Sequence, residues 1–145
     1  ELGVERIIPL QTERTVVKIS PEAAPGKLRR WQTIAREAAK QCGRLTLPAI
    51  EPVTSFKNAV TKAKDYGLAI IPYLAGDNQD IKEAANRNRR GKSVIVFIGP
   101  EGDFSPAEIK LAKDNGCVGV SLGDLTLKVD TAAIATVSFL SLAKI

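Results

Sequence analysis

The sequence predicts an α/β domain: a mostly parallel sheet with helices on both faces. Three short runs, Leu68–Leu74 (LAIIPYL), Ser93–Ile98 (SVIVFI) and Cys117–Leu122 (CVGVSL), are almost continuously apolar, as strands buried on both faces are. Helix patterns alternate with these runs, which is the order a parallel sheet needs for its crossovers. A glycine-bearing loop directly follows the second and the third run. These are Ile98-Gly99-Pro100-Glu101-Gly102-Asp103-Phe104-Ser105-Pro106 and Ser121-Leu122-Gly123-Asp124-Leu125-Thr126-Leu127-Lys128. Two such loops at strand ends make a place where backbone holds a small molecule.

Each element follows from its residues. Thr15–Ile19 (TVVKI) is β-branched and reads as a strand, and 21–26 as a loop. Lys27–Cys42 is a helix, with Leu28, Trp31, Ile34, Ala35, Ala38 and Ala39 on one apolar face and Gly43 as its stop. Trp31 is therefore expected in the core. Leu45–Ile50 is a short extended segment interrupted by Pro48, and Ser55–Lys64 is helical. Asp77–Arg90 reads as a polar helix stopped by Gly91. Ser105, Pro106 and Glu108 stand at the N-cap, N1 and N3 positions of a helix running to about Asn115, a complete start signal. Asp130 is placed to cap a last apolar helix, Thr131–Ile145. That helix has almost no polar face, so a second subunit is expected to cover it.

The bulk numbers narrow the function. The chain has 145 residues, enough for one domain with a real core. It has no apolar run of membrane-spanning length and no leader pattern. It contains no Met and begins at Glu1, so further N-terminal sequence is expected. The absence of His removes Ser-His and Cys-His catalysis and most zinc sites, and no metal is expected. Cys42 and Cys117 are spaced for neither a metal nor a redox pair, and read as reduced core thiols of a cytoplasmic protein. The net charge is +5, and residues 1–50 hold nine Lys/Arg against five Asp/Glu. That basic half, together with the cluster Arg87-Asn88-Arg89-Arg90-Gly91-Lys92, suits a polyanion. The loop after Ile98 is neither a P-loop nor a dinucleotide fingerprint, which counts against nucleoside triphosphates and NAD.

Several motifs in order resemble one family. IGPEGDFSPAEIKLA, then VSLG, LTLK and Asp130-Thr131-Ala132, are similar to the C-terminal half of the SPOUT (trefoil-knotted) RNA methyltransferases. The nearest likeness is to the bacterial family that methylates N3 of a uridine in 16S ribosomal RNA. Glu13-Arg14-Thr15-Val16-Val17 and the helix from Lys27 to Arg44 match that family as well. Its usual IGPEGGFS loop carries Asp103 in place of the second glycine here, and its usual Arg and Glu are Lys128 and Asp130. Lys lacks the bidentate fork of Arg, and Asp is one methylene shorter than Glu.

The resemblance implies an α/β fold whose C-terminal part threads a deep trefoil knot. It implies S-adenosylmethionine (SAM) as cofactor, held by Leu74, Gly99, Pro100, Glu101, Gly102, Leu122, Gly123, Leu125 and Leu127. It implies Asp130 or Glu101 as the base for uridine N3, with Lys128 or Arg14 stabilising the uracil oxygen. Arg14, Arg30 and Arg44 would hold RNA of the small ribosomal subunit. It also implies a homodimer through the last helix, and a PUA-like N-terminal domain that residues 1–145 do not include. The alternatives are a SPOUT enzyme for another base or a ribose 2′-hydroxyl, and a non-catalytic RNA-binding relative.

Overall fold

The computed structural model describes residues 1–86 and 93–143. The basic cluster 87–92, and with it the proposed Gly91 stop, lies outside the described residues. In chain order come β1 (Arg6–Ile7), β2 (Leu10–Gln11), α1 (Ala24–Gln41), β3 (Ala49–Ile50), β4 (Thr54–Ser55) and α2 (Phe56–Val60), which a 3-10 turn continues over Thr61–Asp65. Then follow β5 (Leu68–Pro72), β6 (Gln79–Asp80), α3 (Ile81–Asn86), β7 (Val94–Val96), α4 (Pro106–Asp114), β8 (Val118–Ser121) and α5 (Val129–Leu142).

The main sheet has the order β6-β8-β5-β7, and every pairing in it is parallel. The last strand is thus inserted beside the first of the four rather than added at an edge. β5 is the centre, with Ile70 opposite both Val96 of β7 and Val118 of β8. Two short parallel pairs, β1 with β3 and β2 with β4, precede it.

The period of two along β5 divides the core. Ala69, Ile71 and Tyr73 face one cluster with Phe56, Val60, Phe97, Phe104 and Ala112, so α2 and α4 cover that side. Leu68 and Ile70 face the other, with Ala84, Ala85, Val120 and Leu140, so α3 and α5 cover it. All five residues of β5 are buried, as expected of a strand enclosed on both faces. Burial pushes the Cys117 thiol up to about 11, so it stays protonated in the core.

Three expectations fail locally. Thr15–Ile19 is not a strand: Val16 and Val17 are 82% and 70% exposed. Hydrogen bonds between Thr12 and Thr15 turn the chain there, and the strands form earlier, at β1 and β2. Asp130 is not the cap of α5, because the helix starts two residues sooner and Lys128 is its N-cap. The Asp130 carboxylate instead accepts from the Thr131 N–H within the first turn. Cys42 is exposed rather than in the core, since it follows the last turn of α1.

Other elements keep their place with altered ends. α1 begins at Ala24, where Pro25 sits in its first turn. The helix expected from Asp77 begins at Ile81, because Gln79 and Asp80 pair with Val120 and Ser121. The α4 start is as read: Ser105 and Glu108 form a capping box.

Candidate functional site

Because β7, β5 and β8 are adjacent and parallel, their C-terminal ends leave one edge of the sheet side by side. The segments that follow carry Leu74, the Gly99–Asp103 loop and the Leu122–Leu127 loop. Nine residues expected to hold a cofactor are therefore brought to that edge from three separate stretches of sequence.

The Gly99–Asp103 loop is held at both ends by aromatics. Phe97 before it and Phe104 after it are each 2% exposed and pack on Phe56, with ring centroids 5.7 and 4.9 Å away. Gly99 sits tightly against the core, since an added Cβ would lie 3.1 Å from the Phe104 ring and the ring would have to give by a few tenths of an ångström. Asp103 turns the chain with a φ of +60°, a region that Asp tolerates better than most residues. Its Oδ1 accepts from the Phe104 N–H at 2.8 Å, and its Oδ2 from the Leu74 N–H at 3.0 Å. The loop after β7 is thereby tied to the end of β5.

Arg14 reaches the same loop from the N-terminal segment. Its guanidinium donates to the carbonyls of Gly102 at 2.7 Å and Phe104 at 3.4 Å. Next to it, the Glu13 N–H donates to Oε1 of buried Glu108, whose Oε2 accepts from the Ser105 N–H. Glu108 thus serves two segments at once, a role beyond its place in the capping box. The Leu122–Leu127 loop is opener: Ser121 exchanges hydrogen bonds with Gly123, and Leu125 is 78% exposed. Leu74 is 62% exposed on the neighbouring segment.

The remaining residues divide. Lys128 and Asp130 lie exposed at the start of α5, just after the third loop, and Glu101 is exposed on the second. Arg30 is exposed on α1. Arg44 is turned to the Val4 carbonyl at 2.7 Å and lines an apolar groove with Ile7, Trp31, Pro48 and Ile50. Trp31 is half-buried at that groove rather than in the core, and Ile34 beside it is 56% exposed. Sequence reasoning missed Gly119 of β8, where an added Cβ would stand 2.6 Å from Tyr73 and 2.8 Å from Asn78 Oδ1. It noted Asp103 only as a departure from a glycine. The signal was there, because a short polar residue replacing glycine in a turn can bond nearby backbone.

Among the described residues, no group of three or more His, Cys, Asp or Glu could hold a metal ion, and no helix is long and apolar enough to cross a membrane. The model of the RNA methyltransferase domain family matches residues 1–141. The chain belongs to that family. It is 31% identical to the ribosomal RNA small subunit methyltransferase E of Bacillus subtilis over 145 residues, covering 97% of this chain and 57% of that protein. A Legionella pneumophila structure with bound SAM matches at 35% identity and a TM-score of 0.88, over 98% of this chain and 57% of the other. A Neisseria gonorrhoeae ribosomal RNA small subunit methyltransferase E bound to SAM matches at 29% and 0.84, over the same shares. The SPOUT-type α/β fold expected from the motifs is thus the fold of solved relatives. The chain spans a little over half the length of these proteins.

Proposed function

We propose that this chain is the SAM-binding, methyl-transferring part of an enzyme that acts on N3 of a uridine in 16S ribosomal RNA. The observation that carries the reading is that three loops leave the C-terminal ends of three adjacent parallel strands, with Leu74 and Leu125 exposed on two of them. Uncovered leucines beside loop backbone suit a flat ring with a hydrogen-bonding rim, such as adenine. Relatives with the same fold and bound SAM support it.

Bound SAM would supply an electrophilic methyl group on a positively charged sulfur. The chain must hold the uridine in line with that methyl and take the N3 proton. Asp130 and Glu101 are exposed carboxylates beside the loops, placed to receive it. Lys128, at the N-cap of α5, brings a positive charge for the uracil oxygen, and the positive end of the helix dipole adds to it. Arg14 acts first as a brace of the cofactor loop through its bonds to Gly102 and Phe104. Arg30 is exposed on α1, where it can meet phosphate, whereas Arg44 is engaged with Val4. The exposed Ile134 and Leu142 of α5 form the face for a second subunit. An enzyme acting on small-subunit RNA works in the cytoplasm.

Calorimetric titration of SAM into the purified chain tests the reading, with Gly99→Ala as the comparison. Wild-type binding that Gly99→Ala weakens is expected, followed by N3-methyluridine in small-subunit RNA treated with the chain and SAM. A folded wild type that does not bind SAM would overturn the assignment. A methyl group found on ribose would overturn the choice of N3.

A further inference from the structure

We infer that Asp103 is a positioning residue that sets the spacing of the cofactor loops before any ligand arrives. The inference rests on the methyltransferase reading above. Leu74 lies just beyond β5, where its N–H has left the sheet ladder, and that N–H donates to Asp103 Oδ2 across 29 residues of sequence. The other oxygen accepts from the N–H of Phe104, the residue that fixes the end of the loop in the core. One carboxylate therefore joins the end of β5 to the loop after β7. A neutral glycine could adopt the same backbone but could not form this strap.

The surroundings are shaped for the carboxylate. Gly99 leaves it room, since an added Cβ there would come within 3.3 Å of Oδ1. The Asp103 N–H closes a tight turn on the Pro100 carbonyl at 2.9 Å. From the other side Arg14 holds the Gly102 carbonyl. A cation thus holds the Gly102 carbonyl and an anion the Phe104 amide, which fixes the two peptide planes that flank Asp103. The loop ends are already fixed by Phe97 and Phe104 on Phe56, so the strap is not required for folding. Its effect falls on the relative position of Leu74 and Gly99–Gly102, the two walls assigned to the cofactor. A site ordered in advance binds more tightly because less freedom is lost on binding.

The experiment compares wild type, Asp103→Gly and Asp103→Asn. Gly keeps the positive-φ backbone and removes both bonds; Asn keeps one good acceptor. Amide exchange at Leu74 and Phe104 is read by NMR without ligand, and SAM affinity by calorimetry. In Asp103→Gly the Leu74 amide is expected to exchange at least about tenfold faster, and SAM to bind about tenfold more weakly. Asp103→Asn is expected to recover part of both. Unchanged exchange at Leu74 would show that no strap exists and overturn the inference. Faster exchange with equal or tighter SAM binding would overturn the positioning role, because the Leu74 N–H would then be better left free for the ligand. Wild type that fails to bind SAM while keeping the exchange contrast would overturn the methyltransferase reading, and with it the cofactor role of Asp103, but not the strap.

Discussion

The two glycine loops leave neighbouring strands and are built in opposite ways. The loop after β7 is braced from several sides: two buried phenylalanines at its ends, Arg14 on the Gly102 and Phe104 carbonyls, and Asp103 accepting from the Phe104 and Leu74 amides. The loop after β8 is closed by the Ser121–Gly123 exchange and leaves Leu125 standing in solvent. A rigid wall beside an open one suits a ligand that docks on the first and is covered by the second. The contrast makes different demands on mutation. Damage to the braced loop should reach stability and binding together, and damage to the open loop should reach binding alone.

The largest effect is expected at Phe56, on which both ends of the braced loop rest. It is 2% exposed and its ring meets Phe97 and Phe104. Phe56→Ala would leave a cavity under the loop and cost about 3–5 kcal/mol in urea unfolding, with SAM binding lost as well. A variant of near wild-type stability would mean that the loop is not anchored through this ring.

Gly119→Ala comes next. Its Cβ would meet Tyr73 at 2.6 Å, and Tyr73 is itself 7% exposed and cannot swing away freely. Overpacking of this kind costs about 1–3 kcal/mol, read as a lower midpoint in urea. It also pushes on Tyr73 and Asn78, whose Nδ2 donates to the Tyr73 carbonyl, and so on the segment that carries Leu74. The SAM affinity should therefore fall with the stability.

These sites show which features local pattern reveals. The central strands were legible because LAIIPYL, SVIVFI and CVGVSL are apolar on both faces, and only a covered parallel sheet has use for that. The α4 start was legible because a capping box is a contact within four residues. Thr15–Ile19 misled because β-branched residues show only a fit to a pleated surface, and among the described residues no strand pairs with Val16 and Val17. Asp130 misled because several polar residues precede α5, and the first-turn carboxylate can bond the next N–H as readily as it caps. The three loops of the proposed site stood out as a set through motif order. Their braces were not, because Arg14 meets Gly102 across 88 residues and Asp103 meets Leu74 across 29, separations that no local pattern records.

The smallest and most discriminating effect is expected from setting Arg14→Ala beside Leu125→Ala. Arg14 donates to two carbonyls of the braced loop, one of them at 2.7 Å. Its side chain is exposed, so removing it should cost only about 1 kcal/mol of stability, with SAM affinity falling in parallel. Leu125 is 78% exposed and buries little in the free protein, so Leu125→Ala should leave stability within about 0.5 kcal/mol of wild type. Its SAM affinity should nevertheless fall, because the apolar area that Leu125 buries is buried only when the ligand is there. Thermal unfolding without ligand and calorimetry with SAM, run on both variants, separate the two cases. If Leu125→Ala destabilised the free protein, or left the affinity untouched, the open loop would not be a wall completed by its ligand.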